Sequence, residues 1–168
     1  MSQTVKTLLG LLLPLAGTVL GSARVFFFKR QMGDKVQKGL LGFAAGVMVA
    51  AAVWSLTLPA FEAAEPGYKG ALVVTLGFLL GCAGMLLLDK LVPHQHMDED
   101  KPEGHASHIS RPMLLVLAVA LHNIPEGMAL GVVIAAAMQD AGMSWTAALV
   151  FGLGLALQNF PEGMAVVL

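Results

Sequence analysis

Five stretches of this chain run for about twenty residues or more with scarcely a charge among them. A helix needs about 20 apolar residues to cross the hydrocarbon of a bilayer. The runs fall at about 7–28, 39–61, 70–92, 112–139 and 144–168. They predict an all-α integral membrane protein, a single transmembrane domain over 1–168 with five spanning helices. Composition points the same way: 57% of the 168 residues are hydrophobic and 12% charged, against about 25% charged in a soluble domain.

The first run is uncharged as far as Ala23, and Arg24 is near enough to its end to snorkel. It is too long for the apolar core of a signal peptide and has no clear small-x-small cleavage site before the basic loop. In the second run Gly42, Gly46 and Ala50 recur every four residues, a stripe that permits close helix contact, and Met48 lies beside it. Trp54 reads as a packing or interface residue. The third run has a similar pair, Gly77 and Gly81, and the only cysteine, Cys82. One cysteine gives no disulfide framework, and its small-residue setting predicts a buried small hydrophobe.

The one extended polar segment, 93–111, holds His94, His96, His105 and His108 beside Asp98, Glu99, Asp100 and Glu103. It has no periodicity and reads as a loop; a weak metal-binding tract and a solvated linker are both open for it. With the N-terminus outside, the inner loops hold Lys29, Arg30, Lys35, Lys38, Lys90, Lys101 and Arg111, and the outer side holds Lys6 and Lys69. Basic residues favour the cytoplasmic side, so the His-rich loop is expected there. The fourth run then goes outward and the fifth inward, antiparallel to each other.

Within those last two runs lie the polar residues that call for an explanation. His122-Asn123-Ile124-Pro125-Glu126-Gly127 is echoed by Gln158-Asn159-Phe160-Pro161-Glu162-Gly163. Residues i and i+4 share a helix face, so His122 stacks with Glu126 and Gln158 with Glu162, with Asn123 and Asn159 close beside them. An ionised carboxylate at mid-bilayer costs about 2.5–3.5 kcal/mol on insertion scales, and such residues usually face the bundle interior. The bland alternative is protonated Glu bonded to Asn or Gln as interhelical glue. Glue needs neither the repeated proline nor a histidine four residues earlier. Pro125 and Pro161 also free the carbonyls of Leu121 and Leu157, which membrane helices tolerate where the backbone lines a cavity or is covered by protein. Gly127 and Gly163 leave room for a neighbour. Carboxylates with one imidazole suit zinc or another divalent transition ion. The absence of four Cys or His ligands argues for a site that can release its ion.

The paired motifs resemble those of the ZIP (Zrt/Irt-like) metal-ion transporters, in the bacterial and GufA-like branch. There H-N-x-P-E-G and Q-[ND]-x-P-E-G stand on the fourth and fifth transmembrane helices. The resemblance follows the whole chain in order, including Gly42-Phe43-Ala44-Ala45-Gly46-Val47-Met48 in the second run and the His-bearing loop. It implies import of Zn²⁺ into the cytoplasm, with Fe²⁺, Mn²⁺ or Cd²⁺ carried by some members, through a binuclear centre between helices four and five. By this resemblance His122, Glu126, Gln158 and Glu162 make the primary site, reached by Met48, and Asn123 and Asn159 join the two Glu at a second. Members often have Asp where Asn159 stands, which lowers the negative charge here.

The family has eight core helices, so five imply a chain truncated after the fifth. The expected function is divalent-cation transport, with a non-transporting metal-binding protein or an inactive transporter fragment as the alternative. The expected setting is a bacterial inner membrane. Expected partners are divalent ions and the lipid bilayer, with a homodimer as the assembly to consider; no nucleic acid and no organic cofactor are expected. An enzyme is not expected: H-E-x-x-H is absent, and the pairing of His and Glu does not follow E-x-x-H.

Overall fold

The computed structural model describes residues 2–23, 26, 33–94 and 109–166. Its regular elements are helices. Helix α1 is Gln3–Ser22, capped by the Ser2 side chain, which accepts from the Val5 amide. This cap starts the helix ahead of the apolar run. Helix α2 is composite: Asp34–Ala50 is α-helical, Ala51–Thr57 is a π-helical segment, and Leu58–Ala63 is α-helical again. Helix α3 is Tyr68–Leu91, α4 is Arg111–Met138 and α5 is Trp145–Val166. Pro14, Pro125 and Pro161 all lie inside helices that continue through them.

Among the described residues four segments are long and apolar enough to cross a membrane: Gln3–Ser22, Lys35–Ala63, Tyr68–Leu91 and Met113–Met138. Helix α5 has the length, at 22 residues, but its apolar character is diluted by Gln158, Asn159 and Glu162. Large apolar side chains cover the outside of the helices, including Leu8, Leu12 and Leu15 of α1 and Val73, Leu80 and Leu86 of α3. That is a membrane protein's surface, polar at few points and apolar all round.

The chain forms two units, Met1–Ala63 with Glu126–Leu168, and Ala64–Pro125. In the first, α1 and α5 run parallel with their backbones in direct contact. A Cβ added at Gly17 would overlap the Ala156 carbonyl, one at Gly21 the Phe160 carbonyl, and one at Gly163 the Thr18 carbonyl. Gly10 packs under Ile134, and its carbonyl lies 3.2 Å from the position a Cβ would take at Gly152. The core of this unit joins Leu130, Val133, Ile134 and Ala137 of α4 to Ala148, Phe151 and Leu155 of α5. Ile134 and Leu149 both reach Gly10 while Leu130 reaches Gly152, so the second half of α4 is antiparallel to α5. Ala51 and Leu56 of α2 pack against the same cluster. At one end Lys6 stands over the Trp145 ring, 5.2 Å from its centroid.

In the second unit, the end of α3 is closed by His94. Its Nδ1 is 2.8 Å from the Val92 carbonyl and its Nε2 3.0 Å from Asp89 Oδ1. The other residues singled out in the polar loop (His96, His105, His108, Asp98, Glu99, Asp100 and Glu103) lie outside the described residues, as do Arg24, Lys29, Arg30 and Lys101.

One expectation about packing is corrected, that for Cys82, and the glycine stripes of α2 and α3 face open space. Among the described residues, a Cβ added at Gly42, Gly46, Gly77 or Gly81 would meet no atom within 4 Å. The α2 face that packs is instead the one with Ala44 and Val47, offset from the glycine stripe. Cys82 is exposed, not buried: on α3 the only buried residue is Gly70, at the first turn, so small size alone did not draw Cys82 inward. Among the described residues a Cβ added at Gly127 would likewise meet no atom within 4 Å, while its counterpart Gly163 is closely covered.

Candidate metal centre

Glu126 of the α4 motif and Gln158, Asn159 and Glu162 of the α5 motif lie together in the first unit, while His122 and Asn123 belong to the second. The Gln158 side-chain amide donates to Glu126 Oε1. Gln158 is 0% exposed and Asn159 is 2% exposed, while both Glu126 and Glu162 are half-buried. The two carboxylates are close enough for their charges to interact. Antiparallel packing makes this meeting possible, because α4 enters the core cluster just after Glu126, at the end where α5 leaves the cluster for its own motif.

A carboxylate can only accept, so the Gln158 group facing Glu126 is the N–H side of its amide. The other amide atom, Gln158 Oε1, is buried with no hydrogen-bond partner among the described residues. Burying such an acceptor unsatisfied costs about 1–3 kcal/mol. A bound cation would satisfy it. Asn159 points its amide nitrogen the other way, toward the Pro14 carbonyl of α1 at 3.4 Å. Thr18 Oγ1 donates to the same carbonyl at 3.3 Å, and Ser22 Oγ lies 3.1 Å from the Gly163 carbonyl.

One turn earlier on α4, two side chains bond back to their own helix. His122 Nδ1 is 2.8 Å from the Ala118 carbonyl. A carbonyl can only accept, so Nδ1 carries the proton, and in the neutral ring Nε2 then holds the lone pair. This is the usual arrangement for a metal-binding imidazole, whose other nitrogen is held by an acceptor. Asn123 Nδ2 donates to the Val119 carbonyl at 2.9 Å, so its ligating atom is Oδ1. Met48 is 37% exposed on α2; its neighbour Val47 is the residue that rests against α5, over Gly154.

Among the described residues no three His, Cys, Asp or Glu side chains form a ready ligand cluster. The donor set gathered in the first unit is two carboxylates and two amides, an oxygen-rich set that suits a divalent cation in transit more than a tight structural site. Sequence reasoning missed the α1 residues behind it: Pro14, Gly17, Thr18, Gly21 and Ser22. Their signal was present as three glycines, Gly10, Gly17 and Gly21, seven and four residues apart, interleaved with Thr18 and Ser22.

The class this defines is a multi-pass α-helical membrane protein with a buried carboxylate–amide centre between two proline-containing helices. No family model matches the chain. It is 40% identical over 138 residues to the zinc transporter ZIPB of Bordetella bronchiseptica, covering 80% of this chain and 44% of that protein. It is 35% identical over 136 residues to the zinc transporter GufA of Myxococcus xanthus, covering 77% and 53%. To the zinc transporter ZIP11 of Xenopus tropicalis it is 32% identical over 207 residues, covering 78% and 60%. The chain belongs to the ZIP family of metal-ion transporters. It spans about half the length of the curated relatives it matches.

Proposed function

We propose that this chain carries a divalent metal cation, zinc first among them, across the membrane into the cytoplasm. The ion is held by His122, Asn123 and Glu126 of α4 and by Gln158, Asn159 and Glu162 of α5. The observation that carries the reading is the buried Gln158 amide, which is bonded to Glu126 on one side and presents an unsatisfied oxygen on the other. Intramembrane carboxylates that face protein and not lipid mark ion pathways by default. Relatives named as zinc transporters support the choice of cargo.

The residues have separate tasks. Glu126 and Glu162 supply the charge that compensates the ion's lost hydration. Gln158 and the Asn side chains supply neutral oxygens, which hold an ion without trapping it. His122 adds a softer nitrogen, which favours zinc over magnesium or calcium. In the proposed orientation the N-terminus is outside and the segment after α3 faces a bacterial cytoplasm, as the basic residues favour.

The test is zinc uptake into proteoliposomes holding this chain, beside Glu126→Ala and Glu162→Ala. Uptake that both substitutions abolish supports transport through the paired carboxylates. Stoichiometric binding lost in both, with no uptake in the unaltered chain, assigns a metal-holding role instead. Neither uptake nor binding refutes the site.

A further inference from the structure

The π-helical segment of α2 has a local cause and a consequence at a distance. Pro59 has no N–H for the carbonyl of Ser55, and its ring crowds that carbonyl. A local π adjustment is one way a membrane helix re-satisfies the groups a proline frees. Here the Leu58 amide reaches back five residues to the Val53 carbonyl. Thr57 Oγ1 donates to the Ala52 carbonyl, also five residues back, at 2.7 Å. A single wide turn of this kind holds one residue more than the α-helical turn it replaces. One residue corresponds to about 100° of rotation and about 1.5 Å of rise. The part of α2 before the segment is therefore one position out of register with the part after it.

That offset decides which residue faces α5. Val47 Cγ1 lies 3.8 Å from where a Cβ would stand on Gly154, and the next residue, Met48, is exposed. Were Ala51–Thr57 α-helical, Met48 would take the place Val47 now holds. Gly154 is four residues before Gln158, on the same face of α5. As the second and fifth of successive spans the two helices run antiparallel, and Val47 meets Gly154 while Ala51 and Leu56 pack on the core cluster that α4 and α5 share. Side chains lean toward the N-terminus of their own helix. A methionine in that place would thus lean along α5 toward Gln158.

We infer that Thr57 and Pro59 are positioning residues for Met48: by holding the π segment they keep α2 in the Val47 register, and its relaxation to an α-helix delivers the Met48 thioether to the carboxylate–amide centre. This rests on the metal site proposed above and makes its sulfur ligand dependent on register. A thioether added to an oxygen-rich set favours softer cations such as Cd²⁺ over harder ones.

Cysteine cross-linking of the full chain, in a Cys82→Ser background, reads the register without metal. Val47→Cys with Gly154→Cys should form a disulfide, and Met48→Cys with Gly154→Cys should not. Adding Thr57→Val and Pro59→Ala together should reverse the pair that reacts, whereas Thr57→Ser, which keeps the hydroxyl, should not. Inserting one alanine after Ala50 moves every earlier residue back by one position and forces the same reversal with the π segment kept, and serves should the double substitution fail to fold. In chains with native Val47, Met48 and Gly154, Thr57→Val with Pro59→Ala should tighten Cd²⁺ binding by at least about tenfold, and Met48→Leu should abolish that gain. A Val47–Gly154 cross-link that persists in both the double substitution and the insertion overturns the inference. So does a reversed cross-link with no Met48-dependent gain in Cd²⁺ binding. No metal binding in the unaltered chain refutes the site itself, a result the cross-linking alone cannot produce.

Discussion

Gly17→Ala puts the contact between α1 and α5 to a direct test. The new methyl would fall on the Ala156 carbonyl, and its nearest neighbours are all backbone atoms. No side chain can swing away, so the helices must separate. Overpacking costs about 1–3 kcal/mol, and a contact with rigid backbone belongs at the upper end. Separation also strains the Asn159–Pro14 and Ser22–Gly163 bonds, each worth about 0.6 kcal/mol between membrane helices. Alanine's better helix propensity returns about 1 kcal/mol. The net expectation is a loss of about 3 kcal/mol. The comparison is Gly77→Ala on α3, where no atom lies within 4 Å: there only the propensity acts, and the change should be neutral or stabilising by up to about 1 kcal/mol. Reversible unfolding in mixed micelles, followed by circular dichroism, measures both. If Gly17→Ala costs no more than Gly77→Ala, the helices are not in backbone contact and the account of α1 is wrong.

Gln158→Leu should weaken zinc binding about 10–100-fold, the range for lost partners around a metal; isothermal titration would show it, and unchanged affinity would remove Gln158 from the site. Ser22→Ala should cost at most about 0.6 kcal/mol in the same unfolding assay and little in zinc affinity, since its one hydroxyl proton is shared between the Thr18 carbonyl at 2.9 Å and the Gly163 carbonyl at 3.1 Å. Trp145→Leu should remove the Lys6 contact, worth about 0.5–1 kcal/mol. That loss should be much smaller in a Lys6→Gln background, and equal losses in both backgrounds would refute the contact.

The helices were legible because about twenty apolar residues in a row leave a membrane chain few options, and because Pro66-Gly67 and Asp140-Ala141-Gly142 interrupt the runs. The backbone is left-handed at Gly67, Asp140 and Gly142, as those turns require. The meeting of the two motifs was legible from their duplication and from the antiparallel order of the last two runs. Which glycines pack was not. The pattern of Gly42, Gly46 and Ala50 looks as suitable for contact as that of Gly10, Gly17 and Gly21, and only the position of neighbouring helices tells them apart. The π segment was hidden for a different reason. Pro59 lies near the end of a run where a proline reads as a boundary, and its effect falls on residues before it. Met48 shows the limit most clearly: its place in the sequence beside a plausible packing face says nothing about a register set nine residues later.

The two copies of Pro-Glu-Gly look like one part used twice, yet Gly163 is pressed against Thr18 and Gly127 meets nothing within 4 Å. Selection should therefore act on them for different reasons. At position 163 any side chain collides, so packing alone rejects it, and tolerance there carries no information about the ion. At position 127 packing permits substitution. If a library selected for zinc-dependent growth nevertheless retains glycine at 127, that preference reports on the passage of the ion, or on a state of the protein in which something passes close by. The repeat thus provides its own internal control, separating what the fold demands of a motif from what the cargo demands.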